Sequence, residues 1–144
     1  MRSLLLVLLC LAPLATVAEQ LKRYDQYELH YSVVNTTFLD PKVAATYQLV
    51  RADNRAILNL AALERTEDGN TARPMLIKGR TWDLTGKVST LEFQEVREGP
   101  AIYYIAEFKF FSEDWRHFEV LFRPEGADKT YTFKHRQQVY EEER

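Results

Sequence analysis

Apolar and polar side chains alternate with period two along most of this chain. Tyr27, Leu29, Tyr31 and Val33 face one way, and Glu28, His30 and Ser32 the other. That is the pattern of a strand with one buried face. Leu76, Trp82 and Leu84 share a parity, with Lys78 and Arg80 between them, which assigns Trp82 to the core. Leu91 and Phe93 alternate with Glu92 and Gln94, and the pattern then slips by one at Glu95 and Val96. A β-bulge would absorb such a slip. Tyr104, Ala106, Phe108 and Phe110 make the next apolar face, opposite Glu107 and Lys109. Phe118, Val120 and Phe122 follow, and Tyr131 and Phe133 open the last strand, whose face Val139 continues.

Turn signals separate these runs. Glu67-Asp68-Gly69-Asn70, Thr85-Gly86, Glu98-Gly99-Pro100 and Pro124-Glu125-Gly126-Ala127-Asp128 all fall between apolar segments, where Gly permits positive φ and Pro presets φ. One segment departs from the strand pattern. Asp40 is placed to cap a helix, Pro41 suits its first position, and Lys42 to Leu49 continues it. Val43 and Tyr47, four apart, are expected to pack on the sheet. Ile57 to Leu63 reads as a strand. The spacing of about 10 residues between turns predicts a sandwich or barrel. The expected fold is all-β: an antiparallel β-sandwich of about seven strands, immunoglobulin-like in layout, with one short helix. An open barrel is the alternative.

The first residues follow a different grammar. Met1-Arg2-Ser3 is a short basic start, Leu4 to Leu14 is apolar and uncharged, and Ala15 to Ala18 are small or medium. That grammar predicts a secretory signal peptide over residues 1–18, with cleavage expected after Ala18, and a single β-sandwich domain over 19–144. The apolar run is shorter than the roughly 20 residues that cross a bilayer. Cys10 is the only cysteine; Leu8 and Leu9 before it argue against lipid attachment. With the leader removed, the chain has no disulfide, no thiol nucleophile and no cysteine ligand. Arg2 is the only charged residue removed, so 18 basic and 21 acidic side chains stay, a formal charge of −3. That balance argues against a nucleic-acid partner. No later segment is apolar enough to span a membrane. The expected address is the periplasm.

Catalytic patterns are missing. His30, His117 and His135 are the three histidines, and no two sit at ligand spacing. There is no G-x-S-x-G, and no Gly-rich phosphate loop before a helix. No pair of carboxylates stands out for glycosidase chemistry. Asn35-Thr36-Thr37 matches a glycosylation sequon. Two polar clusters are more informative. Asp53-Asn54-Arg55 reads as a turn with Arg55 pairing to a carboxylate. Trp115-Arg116-His117 sits in a segment joining two strands, and Trp and Arg anchor many interfaces. Asn54, Arg55, Trp115, Arg116 and His117 are therefore the candidate protein-contact residues. No catalytic residue, cofactor or metal ligand is assigned.

The string Tyr24-Asp25-Gln26-Tyr27-Glu28-Leu29-His30-Tyr31-Ser32, then Asn35-Thr36-Thr37-Phe38-Leu39, then Tyr47-Gln48-Leu49-Val50-Arg51-Ala52-Asp53-Asn54-Arg55, resembles the domain of unknown function 4426 family, small exported proteins of Gram-negative bacteria. The resemblance implies a periplasmic address and brings no catalytic residues. The expected function is a non-catalytic binding or accessory module that contacts another envelope protein. A small hydrolase or metal-dependent enzyme with a site assembled from separate strands is one alternative; a carrier of a small apolar ligand is another. The pattern does not set an oligomeric state.

Overall fold

The computed structural model describes residues 20–111 and 113–141. The leader pattern, Cys10 and the Ala18–Glu19 boundary lie outside those residues. The period-two segments all become strands: β1 (Leu21–Tyr24), β2 (Tyr27–Asn35), β3 (Arg55–Thr66), β4 (Gly69–Arg73), β5 (Met75–Trp82), β6 (Val88–Leu91), β7 (Gln94–Glu98), β8 (Ala101–Lys109), β9 (Asp114–Pro124) and β10 (Tyr131–Val139). Pairing is antiparallel throughout. One sheet runs β1-β2-β3-β8-β7, with β4 also paired to β3, and the other runs β10-β9-β5-β6. The expected antiparallel sandwich is the observed architecture. Its strand count among the described residues is ten rather than about seven. Short β1, β4, β6 and β7, of four or five residues each, carry too little alternation to be separated from turns.

The core lies between the sheets. Leu29, Leu58, Leu60, Val120 and Phe133 are completely buried, and Phe118 and Phe122 nearly so. Burying such a side chain stabilises the fold by about 1.5–3 kcal/mol. Aromatic edges stitch the layers: Phe108 meets Phe118 at 5.2 Å, and Tyr24 meets Phe122 at 5.0 Å with the rings nearly perpendicular. Tyr104 adds a polar bridge. Its hydroxyl donates to Glu95 Oε1 at 2.6 Å on β7 and accepts from Met75 N at 2.9 Å, where β5 of the other sheet begins. Burial, followed by the bond to Glu95, pushes its phenol pKa up to about 12.

Three local readings are corrected. The slip at Glu95 and Val96 is not a bulge within one hairpin. β6 belongs to the four-stranded sheet and β7 to the six-stranded one, and Glu92-Phe93 carries the chain across. The inward parity of β5 is Met75, Ile77, Gly79 and Thr81, so Leu76 and Trp82 point away from the core. Gly79 is the reason the larger residues mislead: a Cβ there would lie 2.9 Å from Val120 Cγ2 and 3.1 Å from Glu119 O. The core leaves no room at that point. Finally, α1 spans Pro41–Thr46 and stops short of Leu49. Asp40 accepts from Lys42 N at 2.7 Å as expected of its cap. The backbone then turns at Gln48 with φ 58°. Tyr47 packs on the sheet with Leu39 and Leu49, against Ile57, Val96 and Ile105, whereas Val43 is 41% exposed.

That α1 segment covers part of the outer face of the six-stranded sheet. Thr36 anchors it: the hydroxyl donates toward Ala52 O and Arg55 O and accepts from Ala52 N, all within 3.1 Å. On the four-stranded sheet, by contrast, Leu76, Lys78 and Arg80 at successive outward positions of β5 are exposed.

Candidate contact face

The four-stranded sheet turns Leu76, Lys78, Arg80 and Trp82 of β5 outward, since the other parity is the core. On β9 the outward positions are Trp115, His117, Glu119, Leu121 and Arg123. Register then selects neighbours. Trp82 lies opposite His117, and His117 opposite Arg136 of β10. In the adjoining row, Arg80 lies opposite Glu119, and Glu119 opposite Lys134.

The side chains follow these rows. The Trp82 and His117 rings stack at 5.3 Å with only 5° between their planes. Arg80 places its guanidinium carbon 5.2 Å from the Trp82 ring centre. Arg136 does the same over Trp115 at 4.4 Å. Cations over indole faces contribute roughly 0.5–1 kcal/mol each at exposed sites. Glu119 pairs with Arg80 at 3.0 Å and lies 3.9 Å from Lys134. Arg80, Trp82, His117, Lys134 and Arg136 border a cleft of about 330 Å³. Such a surface presents flat rings, forked donors and positive charge to solvent. It can hold an anionic or aromatic group of a partner; nothing in it is arranged as a nucleophile with a base.

The sequence-selected residues separate. Trp115 and His117 belong to this face, but as outward positions of β9 rather than a loop, because the strand begins at Asp114. Arg116 has the opposite parity and is 5% exposed. It points between the sheets, 3.2 Å from Thr81 Oγ1, 3.3 Å from Asp114 Oδ2 and over the Phe108 ring. It is a structural residue, not a contact residue. Asn54 and Arg55 lie on the other sheet. The Asp53-Asn54 turn accepts Phe110 N at Asn54 O, 2.9 Å. Arg55 pairs with Glu107, as the expected carboxylate partner, and Glu107 also accepts Val50 N at 3.2 Å. Arg55 thus ties down the α1 segment. Arg80, Trp82, Lys134 and Arg136 were missed, since only strand register brings them beside His117.

The histidines do not converge. His30 lies on β2 of the six-stranded sheet, 3.7 Å from Glu28. His135 sits among Tyr31, Phe118 and Phe133, and burial holds its imidazole below the usual range despite a bond to Gln137. Among the described residues, no three His, Cys, Asp or Glu side chains gather as a metal site. No helix among them is long and apolar enough to cross a membrane. Asn35 of the sequon donates its amide to Tyr140 O at 2.8 Å.

Comparison with known proteins places the chain. The family model described as a domain of unknown function, DUF4426, matches residues 21–142. The crystal structure of a DUF4426 family protein from Pseudomonas aeruginosa PAO1 is similar, with TM-score 0.76 and 31% identity, covering 87% of this chain and 97% of that one. FetP of uropathogenic Escherichia coli strain F11, recombinantly expressed in the periplasm, matches with TM-score 0.63 at 11% identity over 87% of this chain and 95% of its own. A copper-bound variant of FetP gives TM-score 0.62 and 13% identity, over 86% and 96%. At that identity the likeness to FetP is one of fold. No curated protein sequence matches the chain.

Proposed function

The chain belongs to the domain of unknown function 4426 family, and from that premise we propose that it is a non-catalytic binding module of the periplasm. It contacts another envelope protein through the outer face of its four-stranded sheet. The observation that carries this reading is the solvent-facing stack of Arg80, Trp82 and His117 beside Arg136 over Trp115. Trp and Arg are the residues on which interfaces concentrate their binding energy. Here they sit together on an uncovered sheet face. The leader pattern of residues 1–18 supports the address. The scatter of the three histidines supports a binding role over a metal-dependent one, and the copper of FetP is not carried across.

The test is affinity capture from an envelope extract with the wild-type protein, Trp82→Ala, Trp115→Ala and Arg55→Ala. Loss of a captured partner in both Trp variants, with retention in Arg55→Ala, supports the face. A partner captured equally by all four proteins removes it.

A further inference from the structure

Resting on that contact face, we infer that its occupant is an extended acidic segment of a partner protein, with carboxylates at alternate positions. The outer face carries Lys78, Arg80, Arg123, Lys134 and Arg136 against a single acid, Glu119, in a chain whose net charge is −2. Glu119 is already engaged by Arg80 and Lys134. Among the described residues, Lys78, Arg123 and Arg136 make no ion pair, and Arg136 rests only on the Trp115 ring. A face of one sign selects and steers a partner of the opposite sign.

Spacing favours a peptide. Lys78 and Arg80 are two apart on β5, and Lys134 and Arg136 two apart on β10. Same-face strand positions are separated by about 6.7 Å, and an extended peptide repeats its own alternate side chains at that interval. Arginine adds a planar fork that matches a carboxylate with two parallel bonds. Between the cations the face is dented rather than flat. Beyond the cleft at Trp82, one depression of about 230 Å³ lies by Lys78 and Thr90, and another of about 430 Å³ lies between Leu76 and Arg123. These receive apolar side chains that flank the acids. A peptide is favoured over a lipid surface because the aliphatic side chains exposed here, Leu76 and Val88, stand at the margins of the face, whereas its centre is rings under cations. Here both Trp rings are half-buried and each has a guanidinium over it.

Fluorescence anisotropy with a short labelled peptide carrying Glu at alternate positions tests the inference. The expected result is saturable, salt-sensitive binding. The Gln counterpart of the peptide should not bind, and the same number of Glu residues placed contiguously should bind more weakly. The double variant Lys78→Glu/Arg136→Glu, verified as folded by its circular-dichroism spectrum and a cooperative urea transition, should bind roughly tenfold or more weakly. Equal binding of the Gln peptide, or equal binding of the alternate-Glu peptide by the double variant, overturns the inference. So does tighter binding of a sulfated polysaccharide, or co-sedimentation with phosphatidylglycerol vesicles at peptide-competitive affinity. The two readings fail separately. Partner capture lost in Trp82→Ala but kept in the charge-reversed variant preserves the face and sinks the acidic occupant. Capture kept in both sinks the face itself.

Discussion

Replacing Tyr104 by Phe removes one oxygen from the joint between the two sheets and leaves the ring in place. Tyr104 is 5% exposed, so no water replaces the hydroxyl without a space for it. Two bonds disappear. Met75 N loses its acceptor at 2.9 Å, and Glu95 Oε1 loses its donor at 2.6 Å. Their costs differ. Glu95 is exposed and keeps Arg97 at 3.1 Å, so it rehydrates and loses little. The Met75 amide sits at the buried start of β5, and an unpaired buried amide costs about 1–3 kcal/mol. The expected loss is therefore about 2 kcal/mol, carried mostly by one backbone N–H. Urea unfolding should show it as a midpoint lowered by about 1 M, given a slope near 2 kcal/mol per M for a domain of this size. The slope itself should not change. Glu95→Gln should cost less than Tyr104→Phe, because it leaves the Tyr104–Met75 bond intact. The Tyr104 hydrogen bond, ahead of Arg97, holds the Glu95 carboxyl below its ordinary range, so an NMR titration should find that carboxyl moved upward in Tyr104→Phe. A destabilisation under about 0.5 kcal/mol, or a Glu95→Gln cost equal to that of Tyr104→Phe, would refute the assignment of the penalty to Met75 N.

Other consequences follow from the same packing. Gly79→Ala forces a methyl group to 2.9 Å from Val120 Cγ2 and 3.1 Å from Glu119 O. It should destabilise by about 1–3 kcal/mol in urea unfolding, and a neutral result would mean the β5–β9 contact is looser than described. Arg116→Ala leaves Asp114 without its cation inside the sandwich and should cost about 3–5 kcal/mol. Adding Asp114→Asn should recover part of that loss, and strict additivity of the two variants would argue against a coupled pair. Tyr104 and Tyr131 both have phenols raised to about 12 from the usual 10, burial first and then a carboxylate partner. The folded state therefore keeps protons that the unfolded chain releases. Stability from these groups is whole below pH 10 and falls as pH rises toward about 12. Urea midpoints across that window should decline, less steeply in Tyr104→Phe; a flat profile would contradict the shift.

Alternation made the faces of β2, β8, β9 and β10 legible because large apolar residues occupy consecutive inward positions there. Phe118, Val120 and Phe122 are an example. The same rule failed on β5, where the inward side is finished by Gly79 and Thr81 while Trp82 stands outside. Side-chain size reports burial only where the core has volume to fill, and Val120 and Leu91 had filled it. Trp115, Arg116 and His117 were found as a cluster, yet consecutive residues on a strand must diverge. A true cluster on a sheet joins residues from different strands. Trp82, His117 and Arg136 lie 35 and 19 positions apart in the chain and become neighbours through register alone. No spacing within one segment carries that information.

The two outer faces of the sandwich differ in a way that bears on function. An antiparallel sheet can leave one face to water at little cost if that face is polar. The six-stranded sheet instead places Ile57, Val96 and Ile105 outward and needs Leu39, Tyr47 and Leu49 to cover them. Thr36, Arg55 and Glu107 hold that cover in place, so polar residues on this side are committed to structure. On the four-stranded sheet the outward residues include Leu76, Val88 and Leu121, but its centre is half-buried rings and cations whose carboxylate partner on the face is Glu119. Lys78 and Arg80 are successive outward positions of β5, and Lys134 and Arg136 of β10, with β9 between the two strands, so like charges recur about 6.7 Å apart along each strand. Stability alone gives no reason to gather Lys78, Arg80, Lys134 and Arg136 there. The acidic partner proposed above would supply one, because its alternate carboxylates would neutralise the like charges that recur two residues apart on each strand.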